Sequence, residues 1–186
     1  WLEILKLDNV EESTIVEIEK DITRLQTITD RFSKIGSEPV LEKRDIIEDT
    51  KNTVDYLQTR VSQQVNFYFK APQHPVFVEI NPALHSWTIE NLVKNAIDAM
   101  KGKGSLNIVI SELEDMVKIS ISDTGKGIPK NQFTKVFEPG FTTKKRGWGL
   151  GLSLTKRIVQ EYHKGKIKVA HSEIGKGTTM QISYKT

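Results

Sequence analysis

The sequence predicts a two-layer α/β sandwich, an α+β fold in which helices cover one face of a sheet, with part of a helical hairpin ahead of it. Three observations carry this expectation. Several segments repeat apolar residues every three and four positions, the period of a helix buried on one side. Between them lie short segments that alternate apolar and polar residues and are rich in β-branched side chains, the pattern of strands. Turns bearing glycine or acidic residues join those strands into hairpins. Helices interleaved with antiparallel hairpins bury their apolar sides best as two layers.

In order, Ile15, Ile18, Ile22, Leu25, Ile28, Thr29 and Phe32 form a helical stripe, with Ser13 as N-cap and Gly36 just past the end. Residues 1–7 read as the tail of another helix, so residues 1–36 are expected to be the end of a hairpin that needs a second copy to bury both faces. Gly36-Ser37-Glu38-Pro39 is a linker, which places a second domain at 37–186. There the pattern predicts a helix over roughly 44–62 and strands at Val65–Lys70 and Val76–Ile80. A long helix runs from Asn81-Pro82 to about Met100, since proline suits a first helical turn. Leu106–Ile110 and Val117–Ser122 form a hairpin about Glu114-Asp115. A helix over 150–163 stops at Gly165, and strands at Lys166–Ala170 and Thr178–Tyr184 follow.

Composition bounds the function. The 186 residues, 37% apolar and 27% charged, suit a soluble globular chain. A net charge of +3 is too small to argue for nucleic acid or an anionic membrane. The absence of cysteine excludes disulfides, thiolate nucleophiles and Cys-type zinc sites, and fits a cytoplasmic setting. No apolar run reaches the length of a membrane span. With Trp1 rather than Met first, the chain is expected to be a piece of a longer protein.

Four motifs carry the chemistry: ENLVKNAIDAM (90–100), DTGKGIP (123–129), FEPGFTT (137–143) and GWGLGL (147–152). On a helical wheel Ile89, Val93, Ala96 and Met100 share one side, and Asn91, Asn95 and Asp98 lie opposite within about 60°. Asparagine is a mediocre helix former, so this face is expected to do more than meet water. Mg²⁺ prefers hard oxygen ligands, which makes Asn95 the candidate metal ligand beside phosphates. Asp123 ends an alternating strand, where its carboxylate can accept a hydrogen bond from the exocyclic amine of adenine and would repel the carbonyl of guanine. Gly125 and Gly127 are expected to let base and backbone approach. Gly147, Gly149 and Gly151 open the 150–163 helix, whose first N–H groups favour anions. The stretch Glu138–Arg146 is expected to be a mobile lid, with Lys144 its best phosphate partner. Thr178, beside Gly175 and Gly177, is a candidate support for the base pocket. No P-loop pattern occurs.

In combination these residues resemble the ATP-binding domain of bacterial sensor histidine kinases, within the superfamily shared with gyrase, heat-shock chaperone and mismatch-repair ATPases. The resemblance covers about 40–186 and implies a Bergerat-type fold with a mixed sheet. It implies ATP and Mg²⁺ as ligands, with Asn95 on the metal and Asp123 on adenine. Asn91 and Asp98 lie in its N box, and Gly125, Gly127 and Ile128 shape the base pocket. Phe137, Thr142, Thr143 and Lys144 belong to the lid, and Gly147 with Gly149, Leu150, Gly151 and Leu152 to the phosphate loop. Where that family has a small residue in the loop, this chain has Trp148, which is expected to pack on the lid or the domain surface. The partners implied are a response-regulator receiver domain and a second copy joined through the hairpin.

Hydrolases of the superfamily place a glutamate one turn before the metal asparagine to activate water. Here that position is Asn91, and Glu90 points about 140° away from Asn95. The expectation is therefore a kinase that transfers the γ-phosphoryl group to a histidine. None of His74, His85, His163 and His171 has the sequence context of the acceptor, which is expected upstream of Trp1. Two alternatives stand beside this reading: a serine kinase of the anti-sigma type, and a nucleotide-binding interaction module without phosphotransfer.

Overall fold

A computed structural model describes residues 39–144 and 147–186. The expected hairpin over residues 1–36 lies outside them. Val40–Thr186 forms one compact unit.

The first strand, β1 (Glu42–Asp45), is the charged run Glu-Lys-Arg-Asp and has no strand pattern in sequence. It forms because it pairs antiparallel with β3 (Phe77–Ile80), Glu42 opposite Ile80 and Asp45 opposite Phe77. That pairing shortens the helix expected over 44–62 to α1 (Ile46–Gln58). Asp45 fixes the boundary: its Oδ1 accepts from Ile47 N at 3.0 Å and from Val76 N at 3.2 Å. One carboxylate thus caps the helix and holds the incoming strand.

Next come β2 (Val65–Lys70) and, after β3, the long helix α2 (Pro82–Ala99). Asn81 caps α2 by accepting from Leu84 N at 3.1 Å, and Pro82 sits in its first turn. β4 (Gly104–Leu113) and β5 (Met116–Asp123) form the expected hairpin, longer at both ends. After two single 3₁₀ turns, Lys130–Gln132 and Lys135–Phe137, comes α3 (Gly151–Arg157). It continues through a π-helical turn at Ile158–Tyr162, so the segment expected as one helix over 150–163 has two registers. β6 (Lys166–Glu173) and β7 (Gly177–Lys185) complete the fold.

The main sheet has the order β2-β4-β5-β7-β6, with β2 and β4 parallel and the other neighbours antiparallel. The parallel pair requires a crossover, and α2 lies within it. One face carries the core. Ile108 and Ile110 stand opposite Ile121 and Ile119, which in turn stand opposite Met180 and Ile182. Ile89, Val93 and Ala96 of α2 join the same buried cluster. Burying each large aliphatic side chain contributes about 1.5–3 kcal/mol. Three antiparallel pairings set this register, and it decides which face of α2 is left for chemistry.

A second buried cluster is polar. His85 Nε2 lies 2.9 Å from Thr50 Oγ1, and its Nδ1 lies 3.3 Å from the Tyr184 hydroxyl. His163 meets the other side of the Tyr184 ring edge-on at 5.7 Å between centroids. Asn81 N–H donates to His163 Nε2 at 3.1 Å, so the ring proton sits on Nδ1, which is buried without a partner. Burial pushes the basicity of His85 down to about 3, helped by the nearby His163, and that of His163 down to about 4. Both rings are neutral at physiological pH.

Candidate nucleotide-binding site

The outward face of α2 follows the wheel: Ile89, Val93, Ala96 and Met100 are buried, while Asn91 and Asn95 are half-buried and Asp98 is exposed. The three polar side chains do not share one partner. Asn91 Nδ2 donates to Thr155 Oγ1 at 2.8 Å, and the Thr155 hydroxyl donates to Gly151 O at 2.9 Å. A Cβ at Gly151 would stand 2.5 Å from Asn91 Oδ1. The glycine is also demanded by Asn91, which locks the start of α3 against α2.

Asn95 and Asp98 face the lid. Lys144 Nζ donates to Asn95 Oδ1 at 2.9 Å and to Asp98 Oδ2 at 2.5 Å. Two oxygens from successive turns therefore converge on one cationic nitrogen. An oxygen pair of this kind suits a hard cation.

Asp123 closes β5, opposite Leu106 on one side and Thr178 on the other. Its Oδ1 accepts from Gly125 N at 2.7 Å. Burial raises the pKa of its carboxyl, and backbone N–H groups of Gly125 and Thr178 oppose that rise without cancelling it. The glycines after Asp123 also have a reason within the protein itself. A Cβ at Gly125 would meet the Ala99 carbonyl carbon at 2.6 Å, and one at Gly127 would meet Glu173 O at 2.2 Å. Their bare sides press the loop between the end of α2 and the β6–β7 hairpin. Lys126 fastens the same loop, donating to Ala99 O and accepting from Gly175 N.

Two further residues shape this end of the site: Gly177, noted in sequence only as a neighbour of Thr178, and Ser172, which escaped the sequence reading. Gly177 has φ of +120°, and a Cβ there would lie 1.8 Å from Asp123 O, so no other residue fits behind the acidic strand end. Ser172 is buried; its Oγ accepts from Ile128 N at 2.7 Å, donates to Gly177 O at 3.0 Å and lies 2.9 Å from Thr178 Oγ1. It faces inward only because the β6–β7 register shifts between Val169 and His171, which no spacing signals.

In the lid segment Phe137 is buried beside Val136, an anchor in the core rather than a moving part. Phe141 and Leu152 pack partly buried against the same core. Thr142 Oγ1 accepts from Lys144 N at 3.1 Å, and Thr143 Oγ1 accepts from Lys126 Nζ at 2.8 Å. Gly140 N–H donates to Gly149 O at 3.1 Å, and a Cβ at Gly149 would press on the Gly140 carbonyl carbon at 2.4 Å. Around Gly147 the space is ordinary, with nothing nearer than 3.5 Å. Leu150 precedes α3, and no side chain caps that helix start. Trp148, expected to pack on the lid or the domain surface, is 60% exposed.

The last two turns of α2 thus join two groups: Asn95, Asp98 and Lys144 on the lid side, and Asp123, Gly125 and Thr178 on the strand side. A helix face, a strand-end acid and a glycine loop make up the candidate site, and the sequence has no P-loop.

Comparison with known proteins gives the same class. Residues 84–186 match the family described as histidine kinase-, DNA gyrase B-, and HSP90-like ATPase. Sporulation kinase E of Bacillus subtilis (strain 168) is 31% identical over 174 residues, covering 89% of this chain and 23% of that protein. The sensor histidine kinase ZraS of Escherichia coli (strain K12) is 38% identical over 121 residues, 65% of this chain and 26% of that protein. This chain therefore spans about a quarter of the length of these curated relatives. The nucleotide-free catalytic domain of histidine kinase ThkA superposes with a TM-score of 0.70 at 26% identity, covering 78% of this chain and 95% of that domain. The chain belongs to the histidine kinase-, DNA gyrase B- and HSP90-like ATPase family, and its site is an ATP-binding one of the kind found in histidine kinases.

Proposed function

We propose that this chain is the catalytic region of a sensor histidine kinase, binding Mg–ATP and passing its γ-phosphoryl group to a histidine on a dimerisation helix, for relay to a response-regulator aspartate. The observation that carries the reading is Asn91. It occupies the place where a hydrolase needs a base, and its amide cannot take a proton from water. The only carboxylate next to it in sequence, Glu90, pairs with Lys94. With no carboxylate at that position to act on water, the chain's contribution is to position and to stabilise charge, which is most of what phosphoryl transfer asks of a protein.

In this reading Asp123 accepts from the adenine amine, with Thr178 and Ser172 bracing it. The uncapped start of α3 faces the phosphates, and Lys144 neutralises one of them. Asn95 would hold Mg²⁺, and the ammonium of Lys144 on Asn95 and Asp98 supports that fit, since the same oxygens already accept a cation. Bound there, Mg²⁺ would supply charge neutralisation between phosphate oxygens. No acceptor lies among the buried rings: His85 and His163 are out of solvent reach. The structure of ThkA in complex with response regulator TrrA, 25% identical with a TM-score of 0.75, supports a receiver domain as partner. We assign the region to the cytoplasmic side; among the described residues no helix is long and apolar enough to cross a membrane.

The test is transfer in trans. The chain, [γ-³²P]ATP and MgCl₂ are incubated with a dimerisation hairpin taken from a similar kinase and carrying its histidine. Acid-labile, base-stable label on the hairpin is expected. Release of free phosphate with no labelled hairpin, or acid-stable label on the chain itself, would reject the proposal.

A further inference from the structure

Lys144 stands on the two oxygens that face a cation, yet it belongs to the lid, 46 residues beyond Asp98 in sequence. Asn95 and Asp98 are three positions apart on α2, a spacing that puts both on one helical face. Among the described residues the lid is also held by Phe137 and Phe141 at the core and by two hydrogen bonds. Gly140 N–H bonds to Gly149 O where the stretch begins and ends, and Thr143 accepts from Lys126 in the loop after Asp123. Lys144 is the tie from the lid to α2. Of its two acceptors Asp98 carries the charge, so its hydrogen bond to the ammonium is the stronger.

We infer that Asp98 is a positioning residue: it fastens the lid to α2 through Lys144 and holds that cation beside Asn95 before nucleotide arrives. The inference rests on the reading of this pocket as a Mg–ATP site and adds how its lid is set. The pair is about half exposed, at 43% for the Lys144 side chain and 55% for Asp98. Exposed pairs of this kind are weak. Weakness suits the task, because a polyanion entering at the mouth of α3 can then draw the ammonium from the Asp98 carboxylate. The exchange replaces one set of hydrogen bonds by another. It frees Asn95 Oδ1 for the metal and delivers Lys144 to a phosphate oxygen. Lid closure and metal-site readiness are then governed by the same ion pair.

Amide hydrogen exchange on the nucleotide-free chain tests this, read in peptides covering Phe137–Lys144, with β5 as an internal control. The chains compared are wild type, Asp98→Asn, Lys144→Gln and the swapped pair Asp98→Lys/Lys144→Asp. Each single change is expected to speed lid exchange about two- to fivefold, the size of an exposed ion pair, and to leave β5 unchanged. The swapped pair should return the lid toward wild type. Equal lid exchange in wild type and Asp98→Asn, or a swapped pair as fast as the single variants, would overturn the inference. Calorimetry of wild type with ADP and MgCl₂ is run beside it. Absence of binding there would remove the ATP-site reading and leave the lid result standing, so the two failures are distinguishable.

Discussion

Asn91 on α2 and Thr155 on α3 are joined by a 2.8 Å hydrogen bond, and the start of α3 is seated by it. Gly151 is the residue this bond cannot do without, since a methyl group there would lie 2.5 Å from Asn91 Oδ1. Gly151→Ala is expected to push Asn91 off Thr155 and cost about 1–3 kcal/mol, the range for overpacking a close contact. Thermal unfolding should show the loss, and ADP affinity should fall with it. An Ala variant with unchanged melting and affinity would contradict the seating role.

In the proposed reading Asp123 discriminates the base. Asp123→Asn replaces one acceptor oxygen by a donor, which can face the guanine carbonyl. The preference for ATP over GTP is expected to shrink at least tenfold, about 1.4 kcal/mol, in paired titrations with the two nucleotides. Because burial raises the carboxyl pKa of Asp123, it takes up a proton at higher pH than an ordinary aspartate. The protonated form has lost its charged acceptor, so affinity for ADP should decline as pH falls, sooner than for a solvent-exposed carboxylate. Equal affinity for both bases in wild type would remove Asp123 from this role.

Asn95→Ala should separate metal from base. Nucleotide binding in EDTA is expected to persist, held by the Asp123 side of the pocket. The gain in ATP affinity on adding MgCl₂ should disappear. Retention of the full Mg²⁺-dependent gain would place the metal elsewhere.

The buried rings give the fold an acid limit. His85 and His163 are less basic folded, at about 3 and about 4, than in an unfolded chain near 6.5. Unfolding therefore takes up protons, and the contribution of the neutral rings is complete above pH 6.5. It is lost progressively as pH falls toward about 4 and then about 3. Between pH 6.5 and 5 each ring should cost roughly 2 kcal/mol at 1.4 kcal/mol per unit. The urea midpoint should drop over that range, and His163→Gln should flatten the drop. A midpoint independent of pH from 7.5 to 5 would refute the cluster's role.

Much of this was legible in sequence, for identifiable reasons. The α2 stripe, the β4–β5 hairpin and the Asn81-Pro82 start of α2 are local signals, and the structure keeps them. β1 was invisible because a run of four charged residues becomes a strand only through its partner, Phe77–Ile80. Ser172 was hidden by a bulge that reverses which residues face inward. For the glycines the structure adds a second reason. Sequence shows that a side chain is missing at Gly125, Gly127 and Gly151; only the fold shows that another stretch of protein fills the space.

The sheet order also bears on synthesis. β7 lies between β5 and β6, and β6 has no other neighbour in the sheet. As the polypeptide leaves the ribosome, β6 has nothing to pair with until Gly177–Lys185 has followed it out. That same strand brings Thr178 to Asp123. The proposed purine pocket is thus assembled late, and a nascent chain halted within β7 would lack both a completed sheet and the Thr178 side of that pocket.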